Sequence, residues 1–264
     1  MGQTLSIYQV DAFASAPFTG NPAAVCVLDS WLDDKMMQQI AAENNLAETA
    51  FVVPYQAGYQ IRWFTPAVEV ALCGHATLAT AYVLFTTKHQ DDYSLVFYSR
   101  ERGTLTVDRE EDWLVLDFPS DEPHPIKMPK GLGEVIGKEP LECYMGTTDY
   151  LLIYKDQRTI DALDPKHFLL RDYKVRGIIV SAPGNEVDFV SRFFAPGSGI
   201  DEDPVTGSAH TILIPYWSKR LGKKSLLAQQ RSARRGMLRC EDHGPRVRIG
   251  GQAALYMKGE IYIP

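Results

Sequence analysis

Cysteine is scarce and scattered in this chain. Only four occur in 264 residues, and Cys26, Cys73, Cys143 and Cys240 stand far apart with no C-x-x-C pair. That spacing excludes a disulfide framework and offers no clustered zinc site, so a reducing cytoplasm is the expected compartment. Positive charge is also short: 27 Lys and Arg against 33 Asp and Glu leave a net charge of -6. Nothing in that balance draws the chain to phosphate backbones or anionic lipid, and neither nucleic acid nor a membrane is an expected partner. No basic segment followed by an apolar one opens the sequence, which predicts no signal peptide. Met1 to Ser6 fit the myristoylation pattern, but Leu5 to Val10 read as a first strand running straight into the fold. Nucleotide and metal signatures are missing as well. Gly197-Ser198-Gly199 lacks the third glycine of a dinucleotide fingerprint, no Walker loop or H-E-x-x-H occurs, and Ser208 lacks a G-x-S-x-G elbow. No cofactor and no metal is expected. The longest uncharged run, Val70 to Thr87, approaches membrane length. It contains Gly74, His75, Thr77, Thr80, Thr86 and Thr87, and so predicts a buried helix with its entrance turn.

What is present is the composition of a folded protein, 45% hydrophobic, 23% charged and 11% aromatic, enough to bury a core. The chain also resembles itself. Arg62-Trp63-Phe64-Thr65-Pro66 precedes Gly74-His75-Ala76-Thr77, and Arg192-Phe193-Phe194-Ala195-Pro196 precedes Gly207-Ser208-Ala209-His210. The offsets are 130 residues at the arginine and 133 at the glycine, close to half of 264. The repeat predicts two pseudo-symmetric domains, 1-118 and 119-264, joined near the prolines at 119, 123, 125 and 129. In each half short β runs surround one long helical stretch that is apolar nearly all round. That predicts an α+β fold in which each domain is a β-barrel-like sheet wrapped around a central helix. Small residues open both helices, where free backbone N–H groups and the helix dipole favour an anion. Facing entrances would give a small anionic metabolite its site.

Several residues near those entrances bear chemistry. Asp201-Glu202-Asp203-Pro204 places three carboxylates before the second helix, either as an acidic cap or as reactive groups. The Pro-Val-Thr-Gly segment after Asp203 delays the helix, which a simple cap does not need. His75 adjoins Gly74 at the first entrance and is suited to proton transfer, or to a satisfied structural role. Glu48 follows the turn Asn44-Asn45-Leu46-Ala47 and opens an apolar strand, where a carboxylate does not help folding. Glu69 is an alternative carboxylate before the first helix, though its position reads first as a surface loop. Eight cations and no acid fall between Lys219 and Arg239, most simply a solvated face rather than an RNA patch.

Taken in order, Val10-Asp11-Ala12-Phe13, Gly20-Asn21-Pro22-Ala23, Asn45-Leu46-Ala47-Glu48-Thr49, the Arg62 block, Cys73-Gly74-His75-Ala76-Thr77 and Asp203-Pro204-Val205-Thr206-Gly207-Ser208-Ala209 resemble the PhzF-like isomerases. That family is related in fold to diaminopimelate epimerase and proline racemase. The resemblance spans nearly the whole chain. It implies one active site in a cleft between two domains, and a homodimer. It implies Glu48 as catalytic acid/base, His75 and Asp203 as supporting groups, and Gly74, Gly207 and Ser208 as substrate-binding positions. One carboxylate would then move a proton on a small carboxylate-bearing substrate without a cofactor. Ala47 precedes Glu48 where the family commonly has serine. Cys73 has no cysteine counterpart at the second entrance, which argues against a two-thiol racemase. The alternative is a scaffold of the same fold that has lost activity and serves as a binding or interaction protein.

Overall fold

A computed structural model of the chain describes residues 2–195 and 200–264, so that Pro196 and Gly197-Ser198-Gly199 lie outside the described residues. The chain divides into two compact units, Met1–Asp117 with Gly250–Pro264, and Phe118–Ile249. Along the first part run β1 (Gln3–Ala12), β2 (Asn21–Val27), α1 (Asp34–Asn44), β3 (Glu48–Tyr55), β4 (Gly58–Phe64), β5 (Glu69–Val70), α2 (Gly74–Thr87), β6 (Ser94–Ser99), β7 (Gly103–Glu110) and β8 (Trp113–Pro119). Then come β9 (His124–Pro125), α3 (Leu132–Ile136), β10 (Glu142–Met145), β11 (Asp149–Ile153), α4 (Gln157–Asp161), α5 (His167–Leu170), β12 (Gly177–Pro183) and β13 (Phe189–Ala195). The chain closes with β14 (Ile200–Asp203), α6 (Gly207–Leu221), β15 (Ser225–Gln230), β16 (Gly236–Asp242), β17 (Arg246–Gly251) and β18 (Ala253–Ile263).

Both units use one pairing scheme. In the first, β1 and β2 are antiparallel, β2 and β3 parallel, β3 and β4 antiparallel. Strand β4 then takes the short β5 antiparallel and β6 parallel, and β6 turns back on β7. In the second, β10 to β13 repeat the first three steps. Strand β13 takes the short β14 antiparallel and β15 parallel, and β15 turns back on β16. The matching extends to side chains. Arg62 forks onto Glu69 at 2.7 and 2.6 Å with its guanidinium over Phe64, and Arg192 forks onto Glu202 at 2.7 and 2.9 Å over Phe194. A carboxylate on the short strand is thus held to the arginine of the strand beside it in a bidentate geometry. Glu69 is not the loose surface residue that its place in the sequence suggests.

Each central helix is buried on nearly every face. The side chains of α2 from His75 to Ala81 are all buried, with Val83, Leu84 and Phe85. Its buried threonines cost little because Thr77 and Thr80 donate to the carbonyls of Cys73 and Ala76 at 2.6 and 2.7 Å. Helix α6 contains Pro215, which cannot donate to the Thr211 carbonyl one turn back. That carbonyl instead accepts the Asp121 N–H at 3.0 Å. No helix among the described residues is long and apolar enough to cross a membrane.

The segment 119-264, expected as a single second domain, loses its last strand. β18 runs antiparallel along β1 from Gln3 opposite Ile263 to Ala12 opposite Ala253, and Ile263 joins Leu5 and Ile7 in the core beneath α1. The C-terminal strand therefore completes the first unit, since its inward residues match that core.

Candidate active site

Glu48 reaches its place through the end of α1. Asn45 adopts a left-handed conformation (φ 49°) and its N–H bonds the Ala41 carbonyl at 3.2 Å, ending the helix, while Asn44 Nδ2 donates to Thr49 Oγ1 at 3.0 Å. The next strand then opens on Glu48, which lies beside Ala23 in the parallel register of β2. His75 is the second residue of α2, whose N-cap, Cys73, makes no side-chain cap bond. His75 Nε2 stands 3.1 Å from Glu48 Oε2, and the two side chains are only 7% and 13% exposed. The angle falls short of a hydrogen bond, so both atoms keep hydrogen-bonding capacity inside the fold.

The other imidazole nitrogen is also engaged. Nδ1 lies 3.4 Å from Cys73 Sγ and 3.3 Å from Asn21 Nδ2. Asn21 is fully buried at the start of β2, and Gly20 makes that start possible. With φ at +65°, a Cβ at Gly20 would lie 2.2 Å from the Ala12 carbonyl oxygen. Asp11, itself buried, accepts the Phe18 N–H at 2.8 Å and braces the intervening loop. Burial alone would depress the His75 pKa; the Cys73 and Glu48 partners outweigh it and hold the imidazole well above 6.5. Burial, with Glu48 next, pushes the Cys73 thiol upward. Glu48, Cys73 and His75 also present donor atoms within 4.8 Å of one another, a set of the kind a transition metal takes.

Asp203, Gly207 and Ser208 belong to the second unit. Asp203 ends β14 and is buried, and its carboxylate accepts a short hydrogen bond from the Thr206 hydroxyl. The delayed helix start has a purpose in this packing. Gln230, fully buried, donates from Nε2 to the Asp203 carbonyl at 2.8 Å and accepts the Thr206 N–H at 2.8 Å, pinning the loop before α6. Sequence reading gives Gln230 no role, because it lies 24 residues beyond Thr206. Ser208 Oγ accepts from Arg176 Nη1 at 2.8 Å, another partner that sequence reading misses. Two of the three carboxylates before α6 are therefore divided between tasks: Glu202 serves Arg192, while Asp203 serves the helix entrance. Within the cation-rich stretch that begins in the last turn of α6, Arg220 pairs with Glu142, Lys223 with Asp188 and Arg231 with Asp161.

The sequence model of the family described as phenazine biosynthesis-like protein matches residues 10–259. The chain belongs to the phenazine biosynthesis-like family. An uncharacterized isomerase of Pseudomonas aeruginosa is 53% identical to it over 98% of this chain and 99% of its own. A crystal structure of a PhzF family protein from Enterococcus faecalis superposes with a TM-score of 0.96 at 47% identity, covering 99% of this chain and all of that one. The likeness extends in fold alone to a hydroxyproline epimerase from Agrobacterium vitis, at a TM-score of 0.64 and 10% identity over 98% of this chain and 92% of that one. The fold is thus that of the phenazine biosynthesis-like and epimerase proteins, and the full-length relatives place this chain among the isomerases of its family.

Proposed function

We propose that the chain is a cofactor-independent isomerase that moves a proton on a small carboxylate-bearing metabolite, with Glu48 as the proton carrier. The observation that carries this reading is the buried contact between Glu48 and His75 at 3.1 Å. A carboxylate held in a protected place beside a cation is suited to take a proton from carbon and return it. In that step the C–H bond breaks, its proton passes to a Glu48 oxygen, and the electron pair left behind delocalises into the adjoining unsaturation. The carboxyl proton of Glu48, exchanging with solvent between the two steps, is then delivered to a different carbon, so no oxidant or reductant is needed. His75 holds the carboxylate in place and offers compensating charge. Asp203 fixes the start of α6 through Thr206, and Gly74, Gly207 and Ser208 supply binding positions at helix starts, where N–H groups favour an anion. The reading carries with it a homodimer and a cytoplasmic setting.

Glu48→Gln keeps the shape of the side chain and removes its proton-carrying ability. Turnover of small cyclic and acyclic carboxylic acids by this variant is expected to fall by about 10²–10⁴; undiminished turnover removes Glu48 from the role and favours a binding scaffold instead. The Glu48–Cys73–His75 donor set gives a competing reading its own test. Exhaustive chelation is expected to leave turnover unchanged, and loss restored by zinc would assign the set to a metal.

A further inference from the structure

The registers of the two units align the surroundings of their helix entrances residue by residue. In the first unit β3 opens at Glu48 and Thr49 lies opposite Phe64; in the second, β12 opens at Gly177 and Ile178 lies opposite Phe194. Phe64 and Phe194 are matching residues of the repeat, so Glu48 matches Gly177, and Ala47 matches Arg176. At the helices, His75 matches Ser208. The first unit therefore brings a strand-opening anion to the second residue of its helix, and the second brings a cation from the preceding position to the same place in its own.

Arg176 is built for this. Its Nε donates to Asp149 Oδ1 at 2.9 Å and its Nη2 donates to the other carboxylate oxygen, while Nη1 donates to Ser208 Oγ at 2.8 Å. Asp149 is fully buried and lies beside Gly177 in the parallel register of β11 and β12. The guanidinium also lies over the Phe193 ring, 5.4 Å from its centroid. Gly177 makes room for that ring, since a Cβ there would stand 2.2 Å from Phe193 Cζ. Among the described residues three of the five N–H groups find partners, and the side chain remains 39% exposed. Ser208 accepts from the guanidinium, which leaves its own hydroxyl hydrogen to donate.

We propose that Arg176 is a specificity-determining residue that, with Ser208, recognises a carboxylate of the ligand, the second unit's counterpart to the proton-carrying Glu48. This rests on the function proposed above for identifying that ligand as substrate. The two spare guanidinium N–H groups and the Ser208 hydroxyl are donors matched to planar carboxylate oxygens, and charge-assisted bonds of this kind discriminate strongly against a neutral amide.

Arg176→Ala would strand the buried Asp149 carboxylate, so the informative variants are Ser208→Ala, Arg176→Lys and the neutral pair D149N/R176Q. Binding of proline, benzoate and anthranilate is compared with that of their amides by titration calorimetry on the full chain. The wild type is expected to prefer at least one carboxylate over its amide by about tenfold or more. D149N/R176Q and Ser208→Ala should lose that preference, and Arg176→Lys should keep part of it. A wild type indifferent to carboxylate, or folded variants that retain the full preference, would overturn the proposal. If the double variant does not fold, Arg176→Lys, which keeps a cation beside Asp149 but loses the planar fork, decides the matter: a fully retained preference there overturns the proposal. The same comparison in Glu48→Gln separates the two ideas: preference persists there even if Glu48 proves dispensable for turnover, and vanishes in the Ser208 variant even if Glu48 is essential.

Discussion

At His75, burial and the neighbouring charges pull in opposite directions, and the charges win. An imidazole in an unfolded chain titrates near 6.5, whereas in the fold it holds its proton to higher pH. Its contribution to stability is therefore fully present below about 6.5 and is lost as pH rises through the elevated folded value. Carbon-13 NMR of the His75 ring should show the cation persisting at neutral pH in the wild type. Glu48→Gln removes one of the two partners that hold the imidazole there, so the titration should move down; an unmoved titration would show that Glu48 is not a partner. The pairing is legible in sequence only as two separately suspicious residues, a carboxylate opening an apolar strand and a histidine at a helix start. Asn21 lies 54 residues from His75, and nothing local to Gly20-Asn21-Pro22-Ala23 announces that its amide faces the imidazole.

Among the elements, the two central helices are the most legible, because a long stretch apolar on all faces has no place but the inside of a sheet. Helices α3, α4 and α5 have only four or five residues each, less than two turns, and leave no periodicity to read. Strands β5 and β14, of two and four residues, are also short, yet they carry the carboxylates that the Arg62 and Arg192 forks hold. The entrance of α6 depends on a side chain from another element. Gln230 serves the Thr206 N–H and the Asp203 carbonyl together, so Gln230→Ala removes both hydrogen bonds from the buried loop before α6. A loss of about 2–3 kcal/mol in urea unfolding is expected, and a loss below about 0.5 kcal/mol would mean that water replaces the amide at no cost.

Over the whole molecule, the repeat is what the sequence displays most openly, since two copies of one supersecondary plan place the same residue types about half a chain apart. Its exception is β18, which completes the first unit by pairing with β1. A strand joining the two ends of a chain leaves no local pattern, and no periodicity assigns it to one half or the other. Deleting residues 253–264 should expose β1, so hydrogen exchange is expected to accelerate along Gln3–Ala12 while β11 to β13 keep their protection. Equal loss in both units would mean that they fold as one cooperative body. The division of labour proposed for the two units, an acid/base centre in one and a carboxylate reader in the other, rests on Glu48 carrying the proton. Mass spectrometry of substrate recovered from D₂O tests that directly: the wild type is predicted to introduce deuterium at the carbon that gains the proton and Glu48→Gln to introduce essentially none, whereas equal deuterium incorporation by both proteins would contradict it.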